Sequence, residues 1–193
     1  GGRSEWRSQS WAVPRPLYRQ DAIATRTGDV CVGHEGEKSA DAGRELLADF
    51  VSFAWPNGSG GADKVDYSPL AGRDVLLWPD HDAAGRKAMR AAAKALRKAG
   101  ARTVRFINIL GLFGRQTIDR SGCIIERLEP LPKGWDCADA YQEGWQPEQI
   151  AALLRNDDAL LDDLAEDELP ELSAGNAPEI DEPAKTGPYR LDP

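Results

Sequence analysis

The chain has 193 residues, of which 41% are hydrophobic, and a formal net charge of −8. This length suits one well-packed domain with appendages, and two compact domains would leave little core for each. There is no apolar run near the ~20 residues that span a bilayer, no visible signal peptide and no Cys-x-x-Cys pair, so a membrane protein, a zinc ribbon and a disulfide framework are not indicated. A reducing cytoplasm is the expected location.

The first 20 residues combine aromatic side chains with proline. It carries Trp6, Trp11 and Tyr18 together with Pro14 and Pro16. The prolines interrupt any helix, and the aromatic content is too high for a free linker. The sequence therefore predicts an extended arm that packs along the domain. The chain starts with Gly-Gly and without Met, and we expect it to be a piece of a longer protein.

Residues 29–55 contain the first regular pattern. Residues 29–34 alternate into a short apolar strand that ends at Glu35, and Gly36 follows. Residues 37–48 have apolar positions near helical spacing, and residues 50–55 return to an apolar strand. This order predicts a βαβ unit with Glu35 at the end of its first strand.

The next segment, residues 57–64, is rich in glycine. It reads Asn-Gly-Ser-Gly-Gly-Ala-Asp-Lys and lacks the spacing of a Walker loop or a dinucleotide fingerprint. Its glycines would allow backbone amides to approach a phosphate, but an ordinary surface loop explains the same residues. Both interpretations stay open for this loop and for Lys64.

Two carboxylates, Asp80 and Asp82, follow a run of four large apolar residues, Val75 to Trp78. Such a run is typical of a strand buried on both faces in a parallel sheet. Ligands of open α/β sheets bind at the carboxyl ends of the strands, and two acids there form a hard-oxygen metal site. Asp82 alone could instead cap the next helix, which would leave Asp80 unexplained.

Residues 83–100 carry the strongest helical pattern. Met89, Ala92, Leu96 and Ala99 share one face, and Gly100 is placed to end the helix. The other face holds six cations and no acid, namely Arg86, Lys87, Arg90, Lys94, Arg97 and Lys98. This face could follow a phosphate backbone, or it could simply be solvated.

The remaining pattern is less regular. Residues 103–109 predict a fourth strand, and the glycines around Cys123 to Ile125 predict a hairpin inserted at about residues 110–133. Asp136 and Asp139 then form a second pair of acids; Asp136 could cap a short helix or join the acid cluster. A closing helix is predicted over residues 147–155.

The final 38 residues, 156–193, hold twelve acidic side chains against Lys185 and Arg190, together with five prolines. Residues 1–155 therefore have 22 basic and 20 acidic side chains, and the net negative charge of the chain comes from residues 156–193. Such a segment cannot bury enough apolar surface to offset its ordering entropy. We predict an acidic, Pro-rich linker or disordered tail.

These elements together predict an α/β domain, with a mainly parallel sheet of about four strands flanked by helices and an inserted hairpin. Glu35, Asp80 and Asp82 would meet at the strand ends, where either one acid is protonated or a divalent cation neutralises them. Oxygen ligands favour Mg²⁺ or Mn²⁺ over zinc. Phosphoryl transfer follows as the expected reaction class, with Lys38, Lys64 or Arg86 holding phosphates and Glu35 moving a proton.

The ordered set of motifs resembles the Toprim domain of bacterial-type primases, topoisomerases and some nucleases. It is carried by Glu35-Gly36-Glu37-Lys38, by Trp78 to Arg86, with its Asp-x-Asp-x-x-Gly, and by Gly134-Trp135-Asp136. More narrowly, these segments are similar to those of phage- and plasmid-encoded primases and primase-helicases, over about residues 12–155. Many members carry an acid four residues after the Glu. Ser39 stands there in this chain, and Asp41 or Glu37 would have to substitute.

The resemblance implies a Rossmannoid, Toprim-like catalytic domain over residues 21–155, between the arm of residues 1–20 and the tail. It implies Glu35 as general acid/base and Asp80 and Asp82 as magnesium ligands. The implied function is a DNA primase that makes RNA primers on single-stranded DNA from nucleoside triphosphates, within a longer primase-helicase chain. A Toprim-type nuclease and a non-catalytic module that docks nucleic acid or replication partners are the alternatives.

Overall fold

A computed structural model describes residues 12–164, and helices and strands alternate through most of this range. The strands are β1 Cys31–His34, β2 Val51–Ala54, β3 Asp74–Leu77, β4 Thr103–Ile107, β5 Gln116–Ile118, β6 Ile124–Glu126 and β7 Leu160–Leu161. The helices are α1 Gln20–Thr25, α2 Glu37–Leu46, α3 Ala83–Lys98, α4 Ile109–Phe113, α5 Cys137–Glu143 and α6 Pro147–Leu153. Within residues 12–164, none of the helices has the length and apolar character needed to cross a membrane.

The main sheet has five strands in the order β2-β1-β3-β4-β7. The first four run parallel, and β7 pairs antiparallel with β4. The mainly parallel α/β sheet flanked by helices is therefore confirmed, and it is compatible with a Rossmann-like fold. The fifth strand was not predicted, because two leucines among acidic residues carry no readable periodicity.

The sheet is buried on both faces, which explains why its strands read as continuous apolar runs. Alternate residues such as Val75 and Leu77 join one core with α1 and α3. Their neighbours Leu76 and Trp78 join a second core with α2, α4, α5 and α6. On this second face the Trp78 ring stacks on Phe113, with 5.4 Å between the ring centroids.

The described part of the N-terminal arm lies along the edge of the sheet. Arg15 forms an isolated parallel bridge with Val65, and Tyr18 forms an antiparallel bridge with Ala54. Leu17, between them, is buried in the core beside α3. Helix α1 begins at Gln20, where no helix was predicted, and residues 1–11 lie outside the described range.

The predicted hairpin is present as the antiparallel pair β5 and β6. It is anchored by Arg127, whose Nη2 donates to Glu143 Oε2 on α5 at 2.6 Å. Trp135 Nε1 and Trp145 Nε1 donate to the same carboxylate at 2.8 and 3.1 Å. Burial alone would raise the pKa of Glu143, but these hydrogen bonds outweigh it and hold the pKa below its usual value.

The boundary predicted at residue 155 falls too early. Residues 156–164, assigned to the tail, contain β7 and the buried side chains of Ala159 and Leu164. Arg105 on β4 fixes this segment, with Nη2 donating to Leu160 O and Nε to Asp162 Oδ1, both at 2.9 Å. The sequence did not predict these few apolar contacts, because the segment is acidic in composition. The predicted tail from residue 165 onward lies outside the described residues.

Candidate active site

Glu35 and Asp80 lie at the carboxyl ends of neighbouring strands. Glu35 directly follows β1, and Asp80 comes three residues after the end of β3. The connection from β1 leads to β2 on one side, whereas β3 lies on the other, so the crevice between β1 and β3 is the switch point of the sheet. Such crevices are the ligand-binding positions of open α/β sheets.

Asp82 is the N-cap of α3, and its Oδ1 accepts a hydrogen bond from Gly85 N at 2.7 Å. The capping interpretation of Asp82 is thus confirmed. Gly85 allows the first turn of the helix to approach Asp80, because a Cβ on Gly85 would lie 2.7 Å from Asp80 Cβ and 3.0 Å from its carbonyl oxygen. The spacing Asp-x-Asp-x-x-Gly therefore has a local structural reason.

The second pair of acids faces the same crevice. Asp136 caps α5 in a reciprocal capping box with Asp139, and its Oδ2 accepts a hydrogen bond from Ser39 Oγ at 2.5 Å. The loop before α5 is fastened to the strand end, since His81 N donates to Trp135 O at 2.9 Å and Gly134 N donates to His81 O at 3.0 Å. Asp136 thus caps a helix and belongs to the acid cluster.

The acids of this cluster are close enough that their charges raise the pKa of Asp80 and of Glu35. Burial, followed by the charges of Glu35, Asp136, Asp82 and Asp139, raises the pKa of Asp80 to about 8. Burial and the Asp82 charge likewise raise the pKa of Glu35, against opposing interactions with Ser59 and Asp80. Asp80 is therefore an acid that holds a proton near neutral pH.

The acids at the strand ends offer only oxygen donors, which are the ligands that hard divalent cations take. Among residues 12–164, no group of three or more His, Cys, Asp or Glu side chains is arranged so that it could hold a metal ion. Mg²⁺, however, is usually bound through one or two carboxylates and keeps several waters. Glu35 Oε2 is buried without a hydrogen-bond partner, and burial together with the charges of neighbouring acids raises the pKa of both Glu35 and Asp80. A cation would relieve both.

The glycine-rich loop lies against this site. Its 3₁₀ turn, Gly58–Gly60, packs beside α3, and a Cβ on Gly58 would stand 3.6 Å from Glu35 Oε1. Trp55 Nε1 and Lys64 Nζ bind the loop carbonyls of Gly58 and Gly60 at 3.0 and 3.2 Å. The loop is a wall of the crevice, which the ordinary-loop interpretation did not anticipate.

The predicted phosphate-binding cations are distributed over three places. Lys64 lies on the glycine-rich loop, and Arg86 lines a cleft beside Asp80. Lys38 instead lies in a surface groove between α2 and α5, away from the strand ends. On α3, Lys87 and Lys94 are exposed, while Arg90 Nη1 donates to Leu164 O at 3.3 Å.

The cleft beside Asp80 has a volume of about 170 Å³ and mostly apolar walls, among them Ile107, Ile109 and Leu161. The two histidines next to the acids have structural contacts. His81 Nδ1 lies 3.0 Å from Pro132 O, and His34 is fully buried against the second core. Burial lowers the pKa of His34 to about 3, so it is neutral at ordinary pH.

Asp41, one of the two suggested substitutes for the acid missing at Ser39, lies elsewhere. Its carboxylate accepts the Tyr18 hydroxyl at 2.9 Å, on the side of the N-terminal arm. Glu37, the other, is exposed in the first turn of α2. Ser39 itself reaches the cluster through Asp136, a contact between residues 97 positions apart that no local pattern could indicate.

Comparison of the chain with models of known families, with curated proteins and with solved structures gives no match.

Proposed function

We propose that this chain is the catalytic core of a Toprim-type DNA primase, a nucleotidyltransferase that makes RNA primers on single-stranded DNA during phage or plasmid replication. The observation that carries the proposal is the meeting of Glu35 and Asp80 at the switch point of the sheet, with Asp82 one residue beyond Asp80. The motif order along the sequence supports the same family.

In this proposal Asp80 and Asp82 hold Mg²⁺ or Mn²⁺, with Glu35 and Asp136 near the same ion. The ion would neutralise charge that develops on the transferred phosphoryl group. Glu35, whose Oε2 is buried without a partner, takes the proton of the attacking hydroxyl. In this proposal the nucleoside triphosphate binds in the cleft next to Asp80, which Arg86 lines.

The single-stranded template would contact the exposed cations of α3. Other domains of a longer primase-helicase chain would complete the enzyme. Three lysines of this helix, Lys87, Lys94 and Lys98, are exposed on one long element that starts at the acid site. The same surface also suits a non-catalytic docking module, so the decision between enzyme and scaffold rests on the acids.

A topoisomerase would require a nucleophilic tyrosine. Tyr18 donates its hydroxyl to Asp41, and the buried hydroxyl of Tyr67 donates to Ala62 O at 3.0 Å. Tyr141 is exposed on α5, on the side of the α2 groove. None of these three tyrosines lies at the acid cluster, which favours primase or nuclease chemistry over strand passage.

The test is a primer-synthesis assay on single-stranded DNA with labelled nucleoside triphosphates and magnesium, run beside a nuclease assay on the same DNA. Primase activity predicts labelled oligoribonucleotides that depend on template and metal. Cleavage of the DNA without synthesis would identify the nuclease instead. If the folded chain bound DNA but catalysed neither reaction, the result would support the non-catalytic docking module.

A further inference from the structure

The cleft next to Asp80 lies over the ends of two neighbouring strands. Pro79 and Asp80 follow β3, Ile107 ends β4, and all three line the cleft. Asp80 also belongs to the acid cluster, so a ligand that fills the cleft has one end at the proposed metal ligands. Arg86, in the first turns of α3, lines the same cleft and gives it a fixed positive charge.

The other walls of the cleft are apolar and come from two distant parts of the chain. Helix α4 contributes Ile109 and Leu110, and the segment of residues 160–164 contributes Leu161 and Leu164. The volume of about 170 Å³ lies below the roughly 300–1,000 Å³ of pockets that enclose a whole small-molecule ligand. The cleft therefore has room for one ring system of a nucleotide, and the rest of the molecule would lie outside it.

The segment that contributes Leu161 and Leu164 is fixed to the sheet. Leu161 lies opposite Phe106 in the antiparallel pair of β7 and β4. Leu164 is buried, and its carbonyl oxygen accepts a hydrogen bond from Arg90 Nη1 at 3.3 Å. The apolar walls are thus in place before a ligand arrives, which reduces the ordering entropy that binding would otherwise cost.

The lining of the cleft suits a ligand with a flat apolar part and an anionic part. Burial of a ring against leucine and isoleucine side chains is favourable because it removes apolar surface from water. The guanidinium of Arg86 matches the geometry of a phosphate and can donate two parallel hydrogen bonds to it. A nucleoside triphosphate has both parts, the base for the apolar walls and the phosphates for Arg86.

We propose that the cleft is the base subsite of the nucleoside triphosphate. The apolar side chains of α4 and of residues 160–164 contact the base, and Arg86 contacts the phosphates on their way to the acid cluster. This inference rests on the proposed function in its choice of ligand. It specifies which end of the nucleotide the cleft takes, and it makes residues 160–164 part of the substrate site.

Calorimetric titration of the full chain in magnesium tests the subsite, with ATP and inorganic tripolyphosphate as the two probes. Tripolyphosphate has the phosphates of ATP without its ribose and base. Leu110→Ala and Leu161→Ala should each weaken the binding of ATP by about tenfold and leave tripolyphosphate unchanged, because only the base contacts the apolar walls. Arg86→Gln should weaken the binding of both probes.

The chain offers a matched control for each leucine. Leu160 precedes Leu161 on β7, and its side chain packs against the second core. Leu128 follows the hairpin and is 89% exposed, so it is the control for Leu110, which is 45% exposed. Leu160→Ala and Leu128→Ala should bind ATP like the parent. Equal losses in the cleft variants and in their controls would contradict a contact with the base.

Unchanged affinity for ATP in both Leu110→Ala and Leu161→Ala overturns the proposal, and so does a parent that binds ATP no more tightly than tripolyphosphate. Loss of both probes in the two leucine variants would also contradict it, since the base would then not be the part recognised. Leu110 is partly exposed, so its variant should stay folded even if Leu161→Ala does not. These titrations do not depend on primer synthesis. The subsite can therefore fail in an active primase, and it can hold in a chain that makes no primers.

Discussion

Gly85 lies so close to Asp80 that a Cβ on Gly85 would be 2.7 Å from the Asp80 Cβ. The first turn of α3 is therefore pressed against the end of β3, and the acid site depends on a residue that has no side chain. Because Gly85 is a buried helical position, two effects of opposite sign compete when it is replaced.

Gly85→Ala is expected to destabilise the protein. Helix propensity alone would favour Ala by about 1 kcal/mol, but the contact with Asp80 backbone and Cβ atoms cannot relax cheaply and overpacking costs about 1–3 kcal/mol. Urea denaturation measures the net effect. Lys87→Ala, two residues further along at an exposed position, is the control and should stay within about 0.5 kcal/mol. A Gly85→Ala variant more stable than the parent would contradict the close approach.

The pKa of Asp80 predicts how stability depends on pH in the absence of metal. This pKa is about 8 in the folded protein, above the ordinary value of 3.8, so ionisation of Asp80 opposes folding. This destabilisation is absent below pH 3.8 and grows as the pH rises towards 8. Asp80→Asn should therefore raise Tm relative to the parent at pH 8 and change it less at pH 5. Melting curves in EDTA at both pH values measure the two shifts, and equal shifts would show that the pKa of Asp80 is not raised in the folded protein.

Metal binding is the third expectation. Asp80→Asn combined with Asp82→Asn should abolish binding of Mn²⁺ or Mg²⁺ in a calorimetric titration, because both proposed ligands lose their charge. Asn can still cap α3 at position 82, so the fold should persist. The control is Asp49→Asn with Asp157→Asn, a pair of exposed acids outside the cluster. If the Asp80→Asn, Asp82→Asn variant still bound the ion, the metal site would lie elsewhere in the protein.

The sequence predicted the parts of this site that depend on local patterns. Glu35 and Asp80 end apolar runs, and parallel strands bring such ends together. Contacts between distant segments carry no such signal: Arg127, just after the hairpin, meets Glu143 on α5, and Ser39 meets Asp136, 97 positions further along the chain.

The exposed lysines of α3 are expected to bind the phosphates of single-stranded DNA. Replacing Lys87, Lys94 and Lys98 by Gln should weaken binding to all sequences alike and reduce the slope of log affinity against log salt by up to about two units. The measurement is fluorescence anisotropy across a salt series. Removal of Arg115, Arg120 and Lys133, three exposed cations around the hairpin, is the charge-matched control. If both triple variants lowered the affinity for DNA equally, the effect would come from net charge alone. If the α3 variant had unchanged affinity, the lysines would simply form a solvated face.

The last prediction concerns Glu35, which follows a buried strand and has one carboxylate oxygen buried without a partner. Glu35→Gln keeps the size of the side chain and removes its basicity, so primer synthesis should fall by about 10²-fold or more while the fold remains intact. Raised magnesium should restore part of the rate if Glu35 chiefly binds metal, and should not help if it moves the proton. Glu37→Gln, exposed two residues further on, is the control and should keep full activity. An active parent that tolerates Glu35→Gln without loss would remove Glu35 from the chemistry and leave the acid cluster as a feature of the fold alone.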